Sequence, residues 1–376
     1  MNRRHWLGLA GIPLGAWLLR RAPLSRTDSP ITVILAERDL DLEFERARER
    51  RTFEFPRDHG PHPTYRHEWW YFTGNLDSEA GDAFGFQLTF FRFAVAAHAR
   101  AVESAWNSPQ ILLGHFALTD LKAQRFMPFE RMSREALGIA GASLTPPAVW
   151  INDWRIALTA PVRHGWQLRA AEAGCALRLD VTSNAAPVLQ GDGGLSQKGS
   201  DLGNASYYYS LPCLTAVGDV QIGAANHKVQ GRAWLDREWG TSVLAPDQVG
   251  WDWFGLQFDD GSSLMFYCLR LRTGARDPRS AGTWVGADGG VHKLDAASTT
   301  IAITREWTSP ITRITFPAHW QMGIAALDVK IEVTPRLADQ EWRGRFRYWE
   351  GAVKVAGTRG STPLAGFGYV ELTGYT

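Results

Sequence analysis

Cysteine is scarce in this chain. Its 376 residues hold three, Cys175, Cys213 and Cys268, an odd number at wide spacing. That excludes a disulfide framework and a paired-cysteine zinc pattern. It leaves three buried free thiols, or one bridge with a spare thiol. A surplus of one sign of charge is also lacking, since 40 basic residues face 39 acidic ones. A generic nucleic-acid binder needs a basic excess to neutralise phosphates, so no nucleic acid is expected as a partner. The common catalytic signatures are missing as well. No Gly-x-Ser-x-Gly elbow occurs, which leaves an α/β-hydrolase serine unsupported. No His-Glu-x-x-His occurs, because His67-Glu68 runs into Trp69-Trp70-Tyr71 with no second ligand one helical turn on. No Gly-x-Gly-x-x-Gly opens a helix and there is no P-loop, so the expectation is a site with no metal and no cofactor.

Tryptophan, by contrast, is abundant, with 17 residues in a chain of 45% hydrophobic content. Each buries a large ring and brings one N–H that needs a partner. The plain reading is sheet core. The functional one is an aromatic-lined pocket for an extended apolar molecule. The partner expected is therefore a hydrophobic small molecule or lipid.

The chain starts with Arg3, Arg4 and His5, followed by an apolar run from Trp6 to Leu19. The run is too short for a comfortable membrane span and suits a signal-peptide core. Asn2-Arg3-Arg4-His5-Trp6-Leu7 looks like a twin-arginine export signal. Residues 1–22 are thus read as a signal, with an uncleaved membrane anchor as the alternative, because Arg20-Arg21 follow and no Ala-x-Ala site is clear. The protein is expected to be periplasmic or otherwise exported, with peripheral membrane association left open. Residues 23–60 read as a polar arm. Leu35 to Arg51 suits a short charged helix, which Pro56, Pro61 and Pro63 would end.

From His67 the pattern turns to β. Trp69–Leu76 and Phe84–Phe93 flank a polar turn, a hairpin signal. Alternation puts Phe84, Phe86, Leu88 and Phe90 on one face and Gly85, Gln87 and Thr89 on the other. Helices are expected over Ala94–Asn107 and Met127–Leu137. Trp251-Asp252-Trp253-Phe254 repeats the opening Trp69-Trp70-Tyr71-Phe72, and each run leads into a Gly turn and an apolar strand. Two related β units follow from this, 61–228 and 229–376, each of ordinary domain size. Short strands at hairpin spacing argue a barrel or sandwich, and a barrel leaves an interior for a ligand.

Three constellations could carry chemistry. His67, Trp69 and Tyr71 share one strand face; Trp234, Asp236 and Glu238 share another; and Asp252 lies between Trp251 and Trp253. A carboxyl beside indole rings is desolvated, which favours its neutral, proton-donating form. Indole faces stabilise a developing cation. Together these can protonate an alkene and hold the carbocation until water adds. The competing readings are ion pairing for Asp236-Arg237-Glu238, a structural role for His67, and turn capping for Asp252.

Six motifs then occur in order: His67-Glu68-Trp69-Trp70-Tyr71-Phe72-Thr73-Gly74, Gly114-His115-Phe116-Ala117-Leu118-Thr119-Asp120, Ala205-Ser206-Tyr207-Tyr208-Tyr209-Ser210, Ala233-Trp234-Leu235-Asp236-Arg237-Glu238-Trp239-Gly240, Tyr348-Trp349-Glu350-Gly351-Ala352-Val353 and Gly368-Tyr369-Val370-Glu371-Leu372-Thr373-Gly374-Tyr375. Over residues 60 to 376 the chain resembles the carotenoid 1,2-hydratase family in its broad sense, which includes the AttH-like proteins described as predicted secreted hydrolases. The resemblance implies an all-β fold of two tandem lipocalin-like (calycin) barrels with a few short helices. It implies an aspartate that protonates a C=C bond. By motif that role falls to Asp236, with Trp234 beside it, and to Asp252 as second choice. His67, Tyr71 and Tyr208 become pocket candidates by that resemblance, and with the aromatic residues Trp69, Trp234 and Trp253 they make up the substrate-binding candidates. The expectation is an exported hydratase-like or hydrolase-like enzyme working on an apolar, lipid or isoprenoid-like substrate. A non-catalytic lipocalin-type carrier is the alternative, and the site could lie in a barrel or in the cleft between barrels.

Overall fold

Alternation builds the strands as expected. In the Ala83–Ala94 strand, Phe84, Phe86, Leu88 and Phe90 all enter one core. In His67–Ser78 the same core takes Trp70, Phe72 and Leu76. The computed structural model describes residues 44–96, 108–242 and 244–376. Among these residues the strands form two antiparallel sheets, thirteen strands between His67 and Gly240 and ten between Gln248 and Thr373. Each sheet wraps its own core, giving the tandem of lipocalin-like barrels. The lumens are filled by side chains, with Trp154, Trp166, Leu168 and Leu235 packed in the first and Phe254, Trp284, Trp320 and Trp349 in the second. The interior position for a ligand is therefore occupied by protein.

The internal repeat is real in three dimensions. The first sheet runs, in order, Ala83–Ala94, His67–Ser78, Ala225–Gly240, Ala205–Ile222. The second runs Ser263–Leu271, Gln248–Phe258, Thr362–Thr373, Arg347–Arg359. His67–Ser78 and Gln248–Phe258 hold equivalent places. The change of sheet falls between Gly240 and Gln248, rather than at the expected 228/229. Ala225–Gly240 hydrogen-bonds along the whole opening strand, so Trp234, Asp236 and Glu238 belong to the first barrel.

The helix expected over Met127–Leu137 is instead a strand, Arg125–Arg134, paired with Gln110–Asp120. Met127 and Phe129 share a strand face on the first core, and pairing along the whole run with Gln110–Asp120 fixes the extended form. Three single-turn 3-10 helices occur among the described residues, Arg57–His59, Pro161–Arg163 and Ala325–Leu327. The leader at 1–22 and most of the helix expected over 94–107 lie outside the described residues. The charged helix expected over 35–51 is described only from Phe44, and from there it is irregular chain. That arm does wrap the first barrel: Phe53 and Phe55 pack edge-on against Tyr209. Of the three free thiols, Cys175 and Cys268 are buried and Cys213 is exposed, contrary to the reading of three buried ones.

The barrels meet through their outer faces. Gln87, on the polar face of its strand, donates to Tyr348 Oη at 3.1 Å and accepts from Trp342 Nε1 at 2.9 Å. Gln257 returns the contact, donating to the carbonyls of Pro212 and Ala233 at 2.6 and 2.9 Å. Gly85 permits the close approach, since a Cβ there would lie 2.6 Å from Tyr369 Oη and 2.9 Å from Ala352 Cβ. Residues that read as solvent-facing by alternation are thus buried by the partner barrel.

Candidate active site between the two barrels

The outer faces leave one apolar cleft where the two equivalent strands approach. It holds about 920 Å³ of atom-free space, including solvent at its mouth. Trp69 and Tyr71 come from the opening strand, Trp251 and Trp253 from its counterpart, and Phe91, Phe93, Tyr267 and Leu269 from the strands beside them. Tyr208, Tyr348, Lys198, Leu244 and Thr373 complete the wall around three carboxyls, Asp236, Glu238 and Glu371. Strand alternation explains the selection: Asp236 and Glu238 line the cleft with Trp234 packed on the same strand face, whereas Leu235 enters the barrel core and Arg237 points under the N-terminal arm.

Asp236 is 4% exposed and makes no ion pair among the described residues. Its Oδ1 accepts from Ser210 Oγ at 2.5 Å and from Trp234 Nε1 at 2.7 Å. Its Oδ2 accepts from Tyr208 Oη at 2.5 Å, and Tyr208 Oη in turn accepts from Trp253 Nε1 of the second barrel at 3.1 Å. Burial pushes the carboxyl up to about 7, although these three donors pull it back and Glu238 adds to the rise. The result is an acid that holds its proton near neutrality inside an aromatic wall. Its neighbour Glu238 is neutralised differently: Lys198 Nζ lies 3.3 Å from it, Ser206 donates to it, and Lys198 also sits 4.0 Å over the Tyr267 ring.

The equivalent position in the second barrel also bears an acid. In the first sheet, Tyr71 lies opposite Asp236 and Asp236 opposite Ser210. In the second, Trp253 lies opposite Glu371 and Glu371 opposite Glu350. Glu371 accepts from Trp251 Nε1 at 2.6 Å. Burial pushes it up to about 7, with the charges of Asp236 and Glu238 contributing. Glu350 is fully buried behind it, and Tyr71 donates across the barrel junction to its Oε1. Burial, then the nearby Glu371 charge, drives Glu350 well above the ordinary carboxylate range. Sequence reading missed both glutamates. The signal was present, because aligning Trp69 with Trp251 and continuing to the last strand of each unit sets Asp236 beside Glu371.

Two sequence candidates lie elsewhere. Asp252 faces away from the cleft, bound by Arg270 Nε at 3.0 Å and by Tyr375 Oη at 3.0 and 3.1 Å. An acid held by a guanidinium in that position cannot reach a cleft ligand, so its catalytic candidacy is withdrawn. His67 shares the strand face of Trp69 and Tyr71 but sits behind Phe93 at the buried strand end. Its Nε2 bonds to the Thr241 carbonyl at 2.9 Å, and burial lowers its pKa to about 3. It is a neutral structural histidine. The competing reading of ion pairing fails for Asp236 and Arg237: Arg237 binds Glu68 at 2.7 Å and stacks 4.0 Å over Trp70. No group of three or more His, Cys, Asp or Glu side chains able to hold a metal ion occurs among the described residues.

Fold and site together define a two-barrel protein with an acid-bearing apolar cleft at the barrel junction. The chain belongs to the AttH-like family, whose model matches residues 46–375. It is similar to the crystal structure of an AttH protein from Nitrosomonas europaea, with 32% identity over 87% of this chain and 98% of that one, at a TM-score of 0.78. The fold is shared with kievitone hydratase from Nectria haematococca, at 14% identity, TM-score 0.67, and coverage of 89% and 98%. It is shared more loosely with CghA, solved with Sch210972, at 11% identity, TM-score 0.50, and coverage of 81% and 88%. No curated protein matches the chain.

Proposed function

We propose that this protein is a hydratase-like enzyme that adds water across a C=C bond of an apolar, isoprenoid-like molecule bound between the barrels. Neutral Asp236 gives its proton to one alkene carbon, and the C=C electron pair forms the new C–H bond. The other carbon becomes a cation, which the faces of Trp69, Trp251 and Trp253 stabilise. Water adds its oxygen to that carbon, and the proton it releases returns to the Asp236 carboxylate. The net change is alkene plus water to alcohol. The observation that carries the reading is Asp236 itself: a buried acid raised to about 7, lining an aromatic cleft with no cation bound to it. The name of kievitone hydratase, a structural relative, is consistent with the same chemistry on this fold. The basic start and apolar run at residues 3–19 support export to the periplasm, where peripheral membrane contact would deliver such a substrate.

Asp236→Asn tests the role. The variant keeps a polar group of the same size but has no acidic proton. Turnover should fall by about 10²–10⁴-fold, as for loss of a general acid. Mass spectrometry of molecules co-purified with the variant should show an unsaturated compound, and with the native protein the same compound heavier by one water. A second reading, a non-catalytic carrier using the same cleft, is favoured by its apolar walls. Identical co-purified molecules in both proteins would establish the carrier and exclude the acid mechanism.

A further inference from the structure

The charge lining the cleft is one-sided. Asp236 and Glu371 face it from equivalent positions on the two barrels, with Glu238 beside the first and Glu350 behind the second. Glu350 Oε2 is buried and has no hydrogen-bond donor; its neighbour is the Glu371 carboxyl. Against these four carboxyls the described residues set one cation, Lys198, already engaged by Glu238. Two nearby arginines turn away, Arg237 to Glu68 and Arg270, on the strand of Tyr267 and Leu269, to Asp252. The remaining groups at the acids are donors, Ser210, Tyr208 and Trp234 on Asp236, and Trp251 on Glu371. Tyr71 donates to Glu350, so its proton is not available to a ligand. Among the described residues, an anionic head group placed here meets carboxylates and no free cation. A positive one meets carboxylates and the faces of indole rings, both of which attract it.

We propose that the cleft selects long apolar molecules that carry a cationic centre, and rejects those that carry a carboxylate. The centre is a protonated amine in a stable ligand, or the cation formed on an olefin in the reaction above. The inference rests on the same cleft as the hydration reading and deepens it, but its test is binding and needs no turnover. Glu371 is the added element: on the second barrel it supplies the counter-charge that Asp236 supplies on the first.

Three ligands with one dodecyl chain separate charge from hydrophobicity: dodecyldimethylamine, dodecanol and dodecanoate. Each displaces the neutral fluorescent probe N-phenyl-1-naphthylamine, whose signal couples to the cleft tryptophans. At about pH 8 the amine is protonated and Asp236 and Glu371 are mostly ionised. The amine should then bind about tenfold tighter than the alcohol, and dodecanoate about tenfold weaker. Below about pH 6 Asp236 and Glu371 are neutral, so the amine's advantage should shrink. By linkage, amine binding near pH 7 should release protons, seen by calorimetry as heat that depends on the buffer. Glu371→Gln should reduce the amine's advantage while dodecanol binding, the measure of an intact cleft, stays unchanged. Equal affinities of the three ligands in the native protein, or tighter binding of dodecanoate, would overturn the inference. If the ligand order holds while Asp236→Asn turns over normally, cation selection stands and the hydration reading fails.

Discussion

Replacing Asp236 by asparagine should make the protein less stable in acid and more stable in mild alkali. The magnitude follows from the site. The carboxyl's pKa rises from 3.8 in the unfolded chain to about 7 in the fold. Between those values the folded state holds a proton that the unfolded state has lost, so stability declines as pH rises through that window. The full rise amounts to about 4 kcal/mol at about 1.4 kcal/mol per pH unit, and about 3 kcal/mol of it falls between about pH 4.5 and 8. Asparagine does not titrate and escapes this loss. It does carry a fixed cost. Its carbonyl oxygen keeps the bonds from Ser210 and Trp234, but its amide N–H₂ meets the Tyr208 hydroxyl, which Trp253 already supplies with a proton. The Tyr208 proton then lacks its acceptor, at about 1–3 kcal/mol. The variant should therefore be weaker than the native protein by about that amount at about pH 4.5, and match or exceed it at about pH 8. Urea unfolding followed by tryptophan fluorescence across this range measures the difference. A stability difference that does not vary with pH, or that grows more unfavourable to the variant as pH rises, would refute a buried neutral Asp236.

Two further outcomes concern residues outside the cleft. Glu68 is fully buried among Arg237, Arg92 and His62; burial alone would raise its pKa, yet those partners hold it well below the ordinary range. Glu68→Gln leaves two guanidiniums buried without their counter-charge and should cost about 3–5 kcal/mol in urea unfolding. Asp252→Asn removes the partner of Arg270 on the far side of the strand. Its thermal midpoint should drop, while probe binding in the cleft and turnover remain at native level; a turnover loss would restore Asp252 as a candidate acid.

Much of this was legible along the chain because it depends on local periodicity. Period two in Phe84-Gly85-Phe86-Gln87-Leu88-Thr89-Phe90 defines a strand and its core face, and the structure keeps that face. The same rule sets Trp234, Asp236 and Glu238 on one side, and Asp236 and Glu238 line the cleft there. The pairing of the Trp69 and Trp251 runs located the repeat. Reading went astray where the deciding interaction lies far off in sequence. Arg237 follows Asp236 directly, yet a strand sends them to opposite faces, and its partner Glu68 is 169 residues away. Asp252 sits between two cleft tryptophans and for the same reason faces Arg270 instead. Met127–Leu137 looked helical because its apolar spacing is ambiguous in a short run, and its pairing with Gln110–Asp120 resolved it.

The sequence by itself determined most of the strands and their faces, the duplicated unit and the family motifs, since each of these is written in neighbours two residues apart or in short ordered runs. The tertiary structure alone decided where the candidate cleft lies. It filled both lumens with side chains and turned the two outer faces toward each other. Polar residues such as Gln87 and Gln257 were thereby buried, and Asp236 came to share one cleft with Glu371. That juxtaposition joins residues 135 positions apart on different sheets, and its consequence, two carboxyls raised by burial, with the charge of Asp236 adding to the rise at Glu371, exists only once water has been excluded between the barrels.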